Sequence, residues 1–497
     1  MGWSMRNPGS PGQRPSWRQY QAMLQKRRPA WRSGYWKIAA LVIAAAVCLL
    51  YVVTATHRAP SVAATDASPR PTDASSRPAD ASPRPELESP QPADESPPRR
   101  AESPPPMVES PRPVVSSRDI LNRDEIRLLI DSVEPSSITA GQFSIPIEKN
   151  RLVVETTLDD QLQSRLTEAL DRKNSRYVGI LVMEADNGRV LAMVGFDKSG
   201  TNGNPCLSSI FPAASIFKIV SAAAAVDHCG FNPDTRLYFN GYKHTLYKRQ
   251  LVEKKDRWTT EIDFKESFAD SVNPIFGKIG AHRLGKPVLE QYARAFGFNR
   301  PIPFEMAVQA SRIAIDDEPY HLAEVASGFN NDTTISPLHG ALIASAVLNG
   351  GRMIAPTIVD SVLGQNEHVL YRSRTEWQGR AMSPQAAATL ARLMRATIDS
   401  GTARRVFRGI KRVRGMDRIE IGGKTGSIST PQNDTRFDWF VGFAQDPERT
   451  ERLAVSVVVG HEEYIGTRAA QYARMAITHV FGQNSAAQVK PAPRAGG

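Results

Sequence analysis

Val178–Glu184 reads VGILVME, Arg189–Gly195 reads RVLAMVG, and Asp186-Asn187-Gly188 stands between them. Two apolar runs joined across an Asn-Gly step predict an antiparallel hairpin. Upstream, Asp159–Arg172 predicts a helix with Leu158, Leu162, Leu166 and Leu170 on one face. Asp124–Ser132 predicts a shorter helix. Downstream, Pro212 introduces an Ala-rich helix, about Ala214 to Asp227. Strand signals return at Arg418–Gly423, Asp438–Phe443 and Leu453–Gly460, and a helix from about Ala469 to Val480 closes the pattern. Two early strands and three late ones, with helices between and after, predict an α/β (α+β) domain. Its centre would be a mainly antiparallel five-stranded sheet flanked by helices. Residues 118–480 are long for one domain, but no second Pro-rich break divides them.

The whole chain has 497 residues, room for about three domains on length alone. Hydrophobic residues make up 41%, enough for a sizeable core. The net charge of +11 invites a nucleic-acid reading, but its location argues against one. Residues 1–37 carry eight Lys/Arg and no acid, whereas residues 58–114 carry seven Arg and nine acids. The large remainder is only mildly basic. Three cysteines without a CxxC pair exclude a zinc ribbon or a disulfide scaffold. The nine histidines show no metal-ligand spacing, so no metal is expected.

Ile38–Ala55 is 18 residues without a charge, about 27 Å as a helix, enough to cross a bilayer core. Trp31, Tyr35 and Trp36 flank its near end. The basic residues before it place a 37-residue tail in the cytoplasm and everything after Ala55 outside. The competing readings are a buried core helix and a cleaved signal peptide. Residues 58–114 hold 15 of the 36 prolines and no aromatic residue. That composition cannot bury a core, so residues 56–117 are expected to be a disordered linker. Fully extended, 57 residues at 3.1 Å each would reach on the order of 175 Å.

Three short motifs carry chemistry. Of all the serines, only Ser215 has a lysine three residues later, Lys218. Spacing of i, i+3 at a helix start puts both side chains on one face. A serine hydroxyl needs an adjacent base, and a lysine can be that base once desolvation and nearby charge lower its pKa. Ser271-Val272-Asn273 follows, with both polar side chains on the same side if the tripeptide is extended or looped. Its hydroxyl can relay a proton, and its carboxamide can hydrogen-bond a peptide. Third is Lys424-Thr425-Gly426-Ser427, expected on an exposed sheet edge lining a cleft. There Lys424 supplies charge, Gly426 lets a backbone approach, and the hydroxyls of Thr425 and Ser427 can bind a carboxylate. Gly423-Lys424-Thr425 also looks like the end of a phosphate-binding loop. That motif requires a glycine where Arg418 stands and a helix after the lysine.

The ordered set S-x-x-K, S-x-N, K-T-G resembles the transpeptidase domain of penicillin-binding proteins, within the penicillin-binding and serine β-lactamase superfamily. Val154–Asp159, Gly188–Val194, Ser336-Pro337-Leu338-His339 and Asn349-Gly350-Gly351 resemble that family too. The likeness spans about residues 150–482. It divides the chain into tail 1–37, membrane helix 38–55, linker 56–117, short lead-in 118–150, transpeptidase domain 151–482 and disordered tail 483–497. The glycosyltransferase domain of bifunctional members and the large pedestal of monofunctional ones are absent from this sequence. A stand-alone cross-linker and one that works beside a separate glycan polymerase are both open on this reading.

The resemblance implies the roles. Ser215 attacks the carbonyl between the terminal D-alanines of a peptidoglycan stem peptide, and Lys218 takes its proton. Ser271, with Lys424 nearby, passes a proton to the leaving D-alanine. Asn273 holds the acyl chain. Lys424, Thr425, Gly426 and Ser427 form the carboxylate subsite, and the N–H groups of Ser215 and Ser427 form the oxyanion hole. β-Lactams would block Ser215, and no cofactor is required. Carboxypeptidase, β-lactamase and a non-catalytic scaffold that only binds peptidoglycan or β-lactam stand as alternatives. Cys206 and Cys229 flank the first motif, with a disulfide or two separate thiols both open. Arg404–Arg418 is expected to be a solvated basic surface, and Trp439 and Phe440 buried sheet residues.

Overall fold

The structure is a computed structural model that describes residues 121–133, 138, 140–147, 150–201 and 203–487. The expected membrane helix Ile38–Ala55 and linker 56–117 lie outside the described residues. Among the described residues no helix is long and apolar enough to cross a membrane.

Five strands form the central sheet: β1 (Ser175–Glu184), β2 (Val190–Asp197), β3 (Glu420–Ser429), β4 (Arg436–Gln445) and β5 (Arg452–His461). Their order is β3-β4-β5-β1-β2, and every pairing is antiparallel. The first hairpin of the sequence thus adds to the last strand, with Ile180 opposite Val457. The expected strands are all present and each is longer than its apolar signal. β3 in particular continues through the whole third motif to Ser429, where a phosphate-binding loop would have turned into a helix.

Both faces of this sheet are covered, which explains why its strands read as apolar runs rather than clean alternation. Val178, Ile180, Val182, Val455 and Val457 pack with Leu162 and Leu166 of helix Asp160–Glu168. Tyr472, Ala473 and Ile477 of helix Ala469–Ala487 complete that layer. Leu181, Met183, Ala454, Val458 and Trp439 face the other way, toward Leu338, Ala341 and Leu342 of helix Pro337–Leu348. This helix is buried all round from Pro337 to Val347. It starts cleanly, with Ser336 as N-cap and Pro337 in the first turn. Gly340 lets it approach the sheet, since a Cβ there would lie 2.4 Å from Ser456 Oγ.

A second, four-stranded antiparallel sheet was not legible in the sequence. Gln142–Ile147 pairs with Asn150–Thr156, which pairs with Val359–Leu363, which pairs with Val369–Arg372. A hairpin therefore joins the residues on either side of position 150. The helix expected at Asp124–Ser132 spans Arg123–Asp131, closed by a capping box between Asn122 and Glu125. The helix expected over Asp159–Arg172 is shorter, Asp160–Glu168, with Asp159 as its cap. The closing helix, expected to end near Val480, runs to Ala487.

Candidate active site

Ser215 and Lys218 are not on one continuous helix. Ala214–Phe217 is a single 3-10 turn, and the α-helix begins at Lys218 and runs to Cys229. This helix can be central because its Ala222–Ala225 run has no side-chain bulk, and all four alanines are fully buried. Its end is set by Gly230, at φ +68°. The turn before it is strained. Ala214 has φ +48°, a left-handed conformation unusual for a residue with a side chain. Three neighbours hold it in place. Trp439 Nε1 donates to the Pro212 carbonyl at 2.9 Å. Ala213 N–H donates to the Thr333 carbonyl at 2.8 Å. Gly328, itself at φ +62°, packs so closely that a Cβ would lie 1.8 Å from the Ala214 carbonyl oxygen.

Lys218 is fully buried, and its Nζ lies 2.9 Å from Ser215 Oγ. The same nitrogen donates to Asn273 Oδ1 at 2.7 Å and to the Ser327 carbonyl at 2.5 Å. Burial, then the like charge of Lys424, holds its pKa well below the ordinary lysine value. A neutral amine has two N–H groups and one lone pair. The protonated amine donates to Ser215, Asn273 and Ser327; once neutral it can keep the last two as acceptors, which leaves its lone pair for the Ser215 proton.

The second motif is looped, and its two polar side chains do not share one side as expected. Ser271 sits at φ +57°, and Asn273 opens helix Asn273–Ile279 with Pro274 behind it. A left-handed residue followed by an extended one turns the two side chains to different lysines. Asn273 serves Lys218, whereas Ser271 Oγ accepts from Lys424 Nζ at 2.9 Å. Lys424 also donates to the Thr425 carbonyl at 2.9 Å, and is fully buried. Burial lowers its pKa to about 7, against the opposing pull of Asp270. β3 is an edge of the sheet, as expected, and Gly426 faces the nucleophile turn. A Cβ at Gly426 would lie 3.3 Å from both Ala214 Cβ and Ser215 N. The hydroxyls of Thr425 and Ser427 are both engaged. Thr425 Oγ1 shares a hydrogen bond with Thr402 Oγ1 at 2.6 Å, and Ser427 Oγ donates to Asp438 Oδ1 at 3.1 Å.

All eight expected residues therefore fall in one connected site. Sequence reading missed Thr402, which also donates to the Ala269 carbonyl at 3.3 Å and so ties the second motif to the third. It missed Ser327 and Gly328 as well, because a backbone carbonyl and a close approach leave no motif. His244 is a further omission. Its ring donates to the Ser271 carbonyl, and burial followed by the charge of Lys218 lowers its pKa. Trp439 and Phe440 are buried, on opposite faces of the sheet. Cys206 and Cys229 are separate free thiols, the first fully buried and donating to the carbonyls of Ile180 and Val194.

The family model for the penicillin binding protein transpeptidase domain matches residues 178–479. The chain belongs to the penicillin-binding protein transpeptidase family. Among the relatives of this transpeptidase is the peptidoglycan D,D-transpeptidase PbpA of Mycolicibacterium smegmatis. It is 25% identical over 343 residues, which cover 62% of this chain and 67% of the relative. Stage V sporulation protein D of Bacillus subtilis is 23% identical, covering 65% of this chain and 52% of the relative. In three dimensions the transpeptidase matches penicillin-binding protein A of Mycobacterium tuberculosis, solved as an imipenem acyl-enzyme complex. The match has a TM-score of 0.51 and 25% identity, and covers 65% of this chain and 79% of that one.

Proposed function

We propose that this chain is a membrane-anchored serine D,D-transpeptidase that cross-links peptidoglycan stem peptides through an acyl-enzyme on Ser215 and is blocked there by β-lactams. One observation carries the reading. A fully buried lysine whose pKa is depressed by burial lies 2.9 Å from a serine hydroxyl, while Asn273 and Ser327 accept from the same nitrogen. In the first step Ser215 Oγ bonds to the carbonyl carbon of the penultimate D-alanine as its proton passes to Lys218. The backbone N–H groups of Ser215 and Ser427 receive the oxyanion. The C–N bond to the terminal D-alanine then breaks, and the leaving nitrogen takes a proton from Ser271, which Lys424 holds from behind. In the second step the amine of a neighbouring stem peptide attacks the ester and releases Ser215.

Ile38–Ala55 would anchor the domain, with the basic tail in the cytoplasm, the catalytic domain outside the inner membrane and the Pro-rich segment as spacer. A separate glycan polymerase would supply the strands. The full chain, incubated with a stem peptide ending in D-Ala-D-Ala and an acceptor amine, should release D-alanine and form the cross-linked dimer. Ser215→Ala should do neither. Release of D-alanine without the dimer would make the protein a carboxypeptidase of the same mechanism. Turnover of penicillin would make it a β-lactamase.

A further inference from the structure

The third motif's last hydroxyl is already committed. Ser427 has one hydroxyl proton, and it goes to Asp438 Oδ1, directly across the β3–β4 pair. Asp438 is not free to release it by turning away. Its other oxygen accepts the Ala469 backbone N–H at 3.0 Å, Arg468 Nη1 lies 3.9 Å from Oδ1, and the residue is 7% exposed. Ser427, by contrast, is exposed at the cleft. What it presents outward is therefore oxygen lone pairs, with a carboxylate behind them. A terminal carboxylate needs hydrogen-bond donors and meets none there.

We propose that Asp438 is a specificity-determining positioning residue. By holding the Ser427 proton it turns that hydroxyl into an acceptor, so the site favours a peptide N–H at Ser427 and disfavours a carboxylate. The terminal carboxylate of a ligand is then left to Lys424, since Thr425 gives its own proton to Thr402, which donates onward to the Ala269 carbonyl. The inference rests on the transpeptidase reading and refines its substrate subsite. Carboxylate-bearing β-lactams should consequently acylate this enzyme slowly for a site with all three motifs intact.

Asp438→Asn tests it in the full chain. The near-isosteric amide can still accept from Ala469 N–H, and its NH2 can donate to Ser427 Oγ, which frees the serine proton for a ligand. The second-order acylation rate by penicillin G should rise about tenfold, since a tenfold change matches one charge-assisted hydrogen bond. The penicillin G methyl ester, which lacks the carboxylate, should gain little. The double variant Asp438→Asn/Ser427→Ala should lose the gain. An unchanged or lower rate in an Asp438→Asn protein that unfolds at the wild-type temperature would overturn the proposal. So would an equal gain with the ester, or a gain that survives Ser427→Ala. Absence of any adduct in the wild type would instead remove the transpeptidase reading, and this proposal with it.

Discussion

At the scale of single residues, the account turns on two buried lysines whose pKa values are both depressed by burial. Burial, then the like charge of Lys424, disfavours the charged form of Lys218. Its neutral form is the base. Lys424 must stay charged to support Ser271, and its pKa is about 7. The signs give a pH profile. Acylation should rise with pH as Lys218 loses its proton, through a pKa well below that of ordinary lysine. It should fall as pH climbs past about 7 and Lys424 loses its own. Lys424→Arg, whose guanidinium keeps its charge, should move the falling limb beyond the measured range in a pH series of penicillin acylation rates. A falling limb that stays in place would assign it to another group. Lys218→Ala should cut the acylation rate by roughly 10²–10⁴-fold, the usual contribution of a positioned base, with Ser215 still present to react slowly.

At the scale of elements, the 3-10 turn that carries Ser215 is strained and is fixed from outside. Gly328→Ala places a Cβ against the Ala214 carbonyl and demands a left-handed alanine. It should cost about 1–3 kcal/mol and lower the acylation rate more than its loss of Tm would suggest, because the turn itself must move. Trp439→Phe removes the Nε1 bond to Pro212. It should cost about 1 kcal/mol, read by urea unfolding, with a smaller drop in rate. The element scale also marks where sequence reading stopped. Four of the five sheet strands were legible as apolar runs between turn residues, whereas Glu420–Ser429 was legible only in its first residues, before the third motif. The motif residues were legible because only one serine has a lysine at i+3 and only one KTG occurs. Ser271 was expected beside Lys424 and is found there, but its side chain does not share a side with Asn273, because nothing in Ser-Val-Asn announces φ +57°. The four-stranded side sheet was missed because its strands are short and half-exposed, and the one pairing that joins its two local hairpins links residues some 200 positions apart. Local pattern carries no record of such pairings.

At the scale of the whole molecule, the first of the described helices, Arg123–Asp131, is fastened to the rest of the domain by a buried charge. Glu305 is fully buried and meets Arg123 Nη2 at 3.2 Å, Thr357 Oγ1 at 2.8 Å and the Ile358 N–H at 3.1 Å. Removing the arginine leaves an uncompensated carboxylate in the core. Arg123→Ala should therefore cost about 3–5 kcal/mol, read as a lower Tm. Its acylation rate well below the transition should match the wild type, because the helix touches none of the three motifs. A rate that falls with intact folding would mean that the lead-in segment shapes the cleft.

The central claim is that Ser215, activated by Lys218, is an acylating nucleophile. Intact-mass spectrometry of the full chain with penicillin G, followed over hours beside Ser215→Ala, tests it most directly. The account predicts one stable adduct with the mass of the intact drug, present in the wild type and absent from the variant. An adduct that persists in Ser215→Ala, or folded wild-type protein that never gains mass, would contradict it.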